Sequence, residues 1–140
     1  MREVKVDGSI VKSSNKIKIS GSKSESNRIL ILNAIFKNIK INNLSTSDDT
    51  KVLHNALNNL KSKINIGHAG TSMRFLTAYL SLLDGKKFIL SGSERMHERP
   101  IAVLVDALNN LGFNIKFLEK KGYPPSVSYT HLRAHETGYN

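Results

Sequence analysis

The chain lacks cysteine, has no long apolar run, and carries few acidic or aromatic residues. Without cysteine there is no disulfide framework, no thiolate metal site and no cysteine nucleophile. No stretch reaches the roughly eighteen uncharged apolar residues that a spanning helix needs, so no membrane partner is expected. The opening Met1-Arg2-Glu3-Val4-Lys5 includes an acid and leads into no apolar segment, so it does not read as a secretory signal. A cytoplasmic protein is the expectation. The five histidines show no ligand spacing of the H-E-x-x-H kind, and no metal site is expected.

Acidic residues number 11 against 21 lysines and arginines, for a net charge of +10. Such an excess suits nucleic acid, anionic lipid or small polyanions, and it says nothing about fold. A Lys-, Asn- and Ile-rich composition with solvated lysines accounts for it equally well, so the placement of particular cations has to decide. A basic nucleic-acid-binding module is the alternative that this charge raises. Aromatics at 6%, and the lack of any aromatic-interleaved basic strand or zinc pattern, tell against it. With 39% apolar residues in 140, the chain can build one modest core.

Local patterning predicts alternating helices and strands. Val4 to Val6 and Ile17 to Ser20 read as short strands around the Asp7-Gly8 turn. Gly21-Ser22-Lys23-Ser24 opens a helix carrying Ile29, Leu30, Leu32, Ile35 and Phe36, and Ile39 to Leu44 is strand-like. Ser45 to Asp49 is rich in N-cap residues, with acids where a helix dipole favours them. Val52, Leu53, Ala56, Leu57 and Leu60 then recur at helical spacing, and Ile64 and Ile66 alternate as in a strand. Gly67-His68-Ala69-Gly70 leads to a helix with Met73, Leu76, Leu80 and Leu83, followed by a strand at Phe88 to Leu90. Pro100 is expected in the first turn of the next helix, with a stripe of Ile101, Leu104, Leu108 and Leu111 and a stop at Gly112. Phe113, Ile115 and Phe117 alternate in the last clear strand.

The pattern repeats in identities too. Residues 52–60 and 103–111 agree at seven of nine positions, and Ser26-x-Arg28-Ile29-Leu30 resembles Ser72-x-Arg74-Phe75-Leu76. Two copies of a unit of roughly fifty residues are expected, at about 21–66 and about 67–118, packed side by side.

Three stretches could hold anions. Gly21 to Arg28 places Lys23 and Ser24 at a helix entrance, with Arg28 one turn further on the same face. By spacing alone, an ordinary capped helix explains this stretch at least as well. It is not a nucleotide P-loop, because the spaced second glycine before Lys is missing. Gly67 to Arg74 offers Gly70 at a second entrance, where backbone could approach an anion closely; a glycine-requiring turn is the plainer account. In Arg95 to Pro100, Arg99 is expected at the N-terminal edge of a proline-opened helix, a position the dipole disfavours unless an anion or Glu98 compensates. Asp48 and Asp49 read as dipole-complementing caps rather than as an acid–base pair.

Taken in order, Gly21-Ser22-Lys23-Ser24-x-Ser26-Asn27-Arg28, Ser47-Asp48-Asp49, Ala69 to Arg74, Arg95-Met96-x-Glu98-Arg99-Pro100-Ile101, Val105 to Leu108 and Tyr123-Pro124-Pro125 resemble the 5-enolpyruvylshikimate-3-phosphate synthase family. UDP-N-acetylglucosamine enolpyruvyl transferase shares that fold, but its first motif resembles Gly-Ala-Lys-Asn. The resemblance implies an α/β (α+β) fold of repeated βαβαββ units in two domains, of which this chain holds the first part. Residues 1–20 would belong to the far domain, 21–125 would form a partial N-terminal domain, and 126–140 would be an atypical, non-native tail. It also implies transfer of the enolpyruvyl group of phosphoenolpyruvate to the 5-hydroxyl of shikimate 3-phosphate, with release of phosphate and no cofactor. Lys23 would be catalytic and would touch both substrates. Ser24 and Arg28 would hold shikimate 3-phosphate, and Gly70 and Arg99 would hold phosphoenolpyruvate. The full-length protein would be a monomer acting on these small molecules, with no nucleic-acid partner. His68 stands where the family has asparagine, Phe75 where it has proline, and the chain ends at about a third of the family's length.

Overall fold

The computed structural model describes Gly8 and residues 16–129. The strand expected at Val4 to Val6 lies outside the described residues.

Helix α1 (Lys23–Phe36) starts because Ser22, in extended conformation, accepts the Glu25 N–H on its hydroxyl. Its entrance is pinned by contact: a Cβ at Gly21 would collide with the Asn43 carbonyl. Helix α2 (Asp48–Asn58) has Ser47 as its cap, accepting from the Thr50 N–H at 3.4 Å, and both acids lie in its first turn. Strand β1 (Lys63–Asn65) leads through a turn into α3 (Gly70–Ser81), and β2 (Lys87–Ser91) follows. The short α4 (Glu94–His97) precedes α5 (Ala102–Asn110), β3 (Ile115–Phe117) and β4 (Ser126–Tyr129).

The sheet order is β1-β2-β4-β3, with β1 and β2 parallel and β4 antiparallel to both of its neighbours. Helix α3 is the central helix: it packs against α1, α2 and α5 and against the sheet, and eight of its residues are buried. Met73, Leu76 and Leu80 form its buried stripe, with Leu83 packed behind them, as the spacing predicts. In α2, Leu53 is fully buried and Val52, Ala56 and Leu57 pack around it. In α1 only Leu30 of the apolar set is buried; Leu32, Ile35 and Phe36 are exposed. Among the described residues no helix is long and apolar enough to cross a membrane.

Four expectations fail, each for a physical reason. Ile39 to Leu44 is irregular rather than a strand: the Ile39 N–H goes to the Asn33 side chain, and Asn43 has a positive φ of 55°. Ile17 to Ser20 is irregular too. It is tied to the 43–46 segment by side-chain hydrogen bonds from Asn43 to the Ile19 carbonyl and to the Ser20 hydroxyl from the Thr46 N–H. Pro100 stands outside α5, because Ile101 has a non-helical φ of −127° and donates its N–H to the Gly122 carbonyl. The stripe behind it holds in part: Ile101 is buried and Leu108 packs on the core, with Val105 buried beside them, but Leu111, past the end of α5, is exposed.

The fourth concerns the boundary after Pro125. Ser126–Tyr129 is an interior strand of the sheet, so the fold continues past the place where the tail was expected to start. Ser126 and Ser128 pair with Leu90, Phe88, Phe117 and Ile115, all larger. Small side chains between large ones fit that interior, and the alternation of β4 is short, only Val127 and Tyr129 between the serines. Residues 130–140 lie outside the described set.

Candidate functional site

The entrances of α1, α2 and α3 meet at one junction. Lys23 is the first residue of α1, and its Nζ lies 3.9 Å from Oδ2 of Asp49, the second residue of α2. The Asp49 carbonyl in turn accepts from the hydroxyl of Ser72, the third residue of α3, at 3.2 Å. Beneath these contacts lies a polar layer: the fully buried Asn27 accepts from the Thr50 hydroxyl at 2.8 Å, and the Ser26 hydroxyl accepts the Ser45 N–H at 2.9 Å. Hydrogen bonding of buried polar groups fixes the helix starts relative to one another.

Gly70 opens α3 beside this junction. A Cβ added there would come within 2.5 Å of Arg99 Nη1 and 3.8 Å of Arg74 Nη1, so two guanidinium groups lie over its backbone. Arg74 donates to the Gly70 carbonyl at 3.3 Å and to the Pro100 carbonyl at 3.5 Å. Arg99 is not at the edge of α5, where the proline placed it. It follows the C-cap of α4, with its N–H on the Met96 carbonyl, and its side chain reaches the α3 entrance instead. Among the described residues, neither the Lys23–Asp49 nor the Lys51–Asp48 ion pair neutralises Arg74 or Arg99, and Glu98 does not pair with either. Two like charges at the positive end of a helix dipole repel unless an anion joins them.

Arg28 donates from Nη1 to the Ser24 carbonyl at 2.9 Å, as their four-residue spacing predicts. Its Cζ lies 5.9 Å from the centroid of the Phe75 ring on α3. Lys23, Ser24 and Arg28 are all exposed, and Gly70 is buried. The turn after β1 touches the turn after β2: Ser93 N–H donates to the Gly67 carbonyl at 2.8 Å, and a Cβ at Gly92 would meet that same oxygen at 2.5 Å. The junction thus sits at the C-terminal ends of the two parallel strands, where α/β sheets form ligand crevices.

Sequence reasoning missed three members of this cluster. Asp48 and Asp49 separate in role: Asp48 faces solvent beside Lys51, while Asp49 turns in to Lys23. Nothing in an Asp-Asp pair announces that division. Ser72 and Arg74 could have been found, because the internal repeat sets them opposite Ser26 and Arg28.

A family model described as EPSP synthase (3-phosphoshikimate 1-carboxyvinyltransferase) matches residues 9–66 and 61–137. The 3-phosphoshikimate 1-carboxyvinyltransferase of Bacteroides fragilis is 48% identical over 110 residues, which are 78% of this chain and 27% of that protein. Its counterpart in Marinomonas sp. is 40% identical over 144 residues, covering 84% of this chain and 34% of the relative. An EPSP synthase structure from Acinetobacter baumannii superposes with a TM-score of 0.67 at 22% identity, over 84% of this chain and 32% of that one, and so shares the fold. The chain therefore spans about a third of the length of the relatives it matches. On the strength of the family match over most of its length and of the co-linear helix entrances, this chain belongs to the EPSP synthase family.

Proposed function

We propose that the junction of α1, α2 and α3 is the half-site through which a longer enzyme of this family transfers the enolpyruvyl group of phosphoenolpyruvate to the 5-hydroxyl of shikimate 3-phosphate, releasing phosphate. Lys23, Ser24 and Arg28 hold shikimate 3-phosphate at the α1 entrance. Lys23, Gly70 and Arg99 hold phosphoenolpyruvate at the α3 entrance. The observation that carries this reading is the pair of guanidinium groups over the Gly70 backbone, with Lys23 across the junction.

The chemistry follows from charge. Two polyanions repel, and cations between them offset that repulsion more strongly where water is partly excluded. Holding both in one crevice turns a bimolecular encounter into a positioned one. Lys23, placed between the two entrances, is the group to stabilise charge that develops at the reacting centre. No cofactor is needed for such a transfer, and we expect the full-length protein to work as a cytoplasmic monomer.

The test is direct. Chemical-shift titration of the 140-residue chain with phosphoenolpyruvate should move the amides of Gly70 and Thr71, and Arg99→Ala should weaken that binding at least tenfold. Unchanged binding in Arg99→Ala would sink the assignment of this entrance.

A further inference from the structure

We propose that Phe75 is a positioning residue for Arg28, its ring holding the guanidinium in place at the junction of α1 and α3; the inference deepens the reading above and rests on it. Arg28 and Arg74 are counterparts in the internal repeat, each two residues after a serine. The two are secured differently. Arg74 is held by two main-chain oxygens, those of Gly70 and Pro100. Among the described residues Arg28 has one such partner, the Ser24 carbonyl at 2.9 Å, together with the Phe75 ring at 5.9 Å. The ring thus takes the place of the second carbonyl.

One hydrogen bond at an exposed position competes with water and leaves a long side chain several rotamers. An aromatic face beneath the guanidinium removes some of them, because the ring quadrupole attracts a cation within about 6 Å. The ring itself is secured: Phe75 is half-buried and packs on the core next to the fully buried Leu76. Arg28 sits on α1 and Phe75 on α3, so the contact also couples the orientation of a cation at the first entrance to the second helix. The proline that the family resemblance places at position 75 has no such face. A plainer account is that Phe75 only fills space between the helices.

That account and ours differ in what they predict for Arg28. The experiment compares the unmodified 140-residue chain with Phe75→Leu, Phe75→Tyr, Arg28→Ala and the Phe75→Leu/Arg28→Ala double variant. In the unmodified chain and in Phe75→Tyr, the Arg28 Hδ protons should show an upfield ring-current displacement and the Nε–H a restricted relaxation signature. Phe75→Leu keeps an apolar side chain of similar reach; it should lose both signatures. It should also weaken binding of shikimate 3-phosphate roughly two- to five-fold, with Phe75→Tyr restoring it. Binding of phosphoenolpyruvate should stay as it was. On an Arg28→Ala background the Leu change should add nothing. An Arg28 signature unaltered by Phe75→Leu overturns the proposal, as does an equal loss of shikimate 3-phosphate affinity with and without Arg28. If the signature depends on Phe75 but no chain binds shikimate 3-phosphate, the ring–guanidinium pairing stands and the substrate reading falls.

Discussion

Gly70 shows how much one missing side chain can matter. Its Cβ position is occupied by the far end of Arg99, a flexible group that can swing aside without moving the backbone. Gly70→Ala should therefore leave stability within about 0.5 kcal/mol, since alanine is at least as good a helix residue and nothing rigid is in its way. Under the proposed function the cost falls on phosphoenolpyruvate binding, because the displaced guanidinium no longer lies over the α3 entrance. We expect thermal unfolding to be unchanged and phosphoenolpyruvate affinity to drop at least tenfold; a large fall in Tm would mean that Gly70 serves the fold instead. At this scale the sequence was partly legible. Lys23, Arg28, Gly70 and Arg99 could be raised as candidates from residue type near helix entrances. Spacing alone left the plain capped helix or turn as good an account, and only the family resemblance gave them roles. The inward turn of Asp49 was not legible, because it depends on where α1 starts, some twenty-five residues away in the chain.

Among the elements, those that carry their own start signal were the readable ones. Ser22 and Ser47 announce α1 and α2, and the spacing of Met73, Leu76 and Leu80 announces α3. Strands depend on partners, and there the reading was weaker. Ile39 to Leu44 has strand composition but no ladder partner among the described residues, whereas Ser-Val-Ser-Tyr, with an alternation only four residues long, has two. The irregular 39–46 segment still has a structural task, which is to fix the entry of α1. Gly21 lies against the Asn43 carbonyl, and Ser45 and Thr46 bond to Ser26 and Ser20. Backbone cannot yield as a side-chain tip does, so Gly21→Ala should destabilise the chain by about 2 kcal/mol or more, read by urea unfolding. Unchanged stability would show that the 43–44 backbone moves freely. The contrast with Gly70→Ala separates a glycine that admits a neighbouring backbone from one that admits the tip of an arginine side chain.

For the molecule as a whole, length governs function. The chain spans about a third of its relatives, and helix α1 presents Leu32, Ile35 and Phe36 to solvent. A half-site can hold a ligand, yet it cannot surround one, and catalysis needs donors and proton carriers on every side of the reacting atoms. Purified on its own, the 140-residue chain should release no phosphate above background from phosphoenolpyruvate and shikimate 3-phosphate, while still showing shift changes with either. Measurable turnover would mean that the described residues hold a complete site.

The place of β4 has a temporal meaning. It is the last described strand to be synthesised and yet lies between β2 and β3, which have no direct pairing with each other. A nascent chain that has emerged only as far as Phe117 holds the β1–β2 pair and an unpaired β3, connected through α3 and α5 but not by any strand between them. Closure must wait for four late residues to thread between the older strands, so the ribosome exposes an incomplete platform until they arrive.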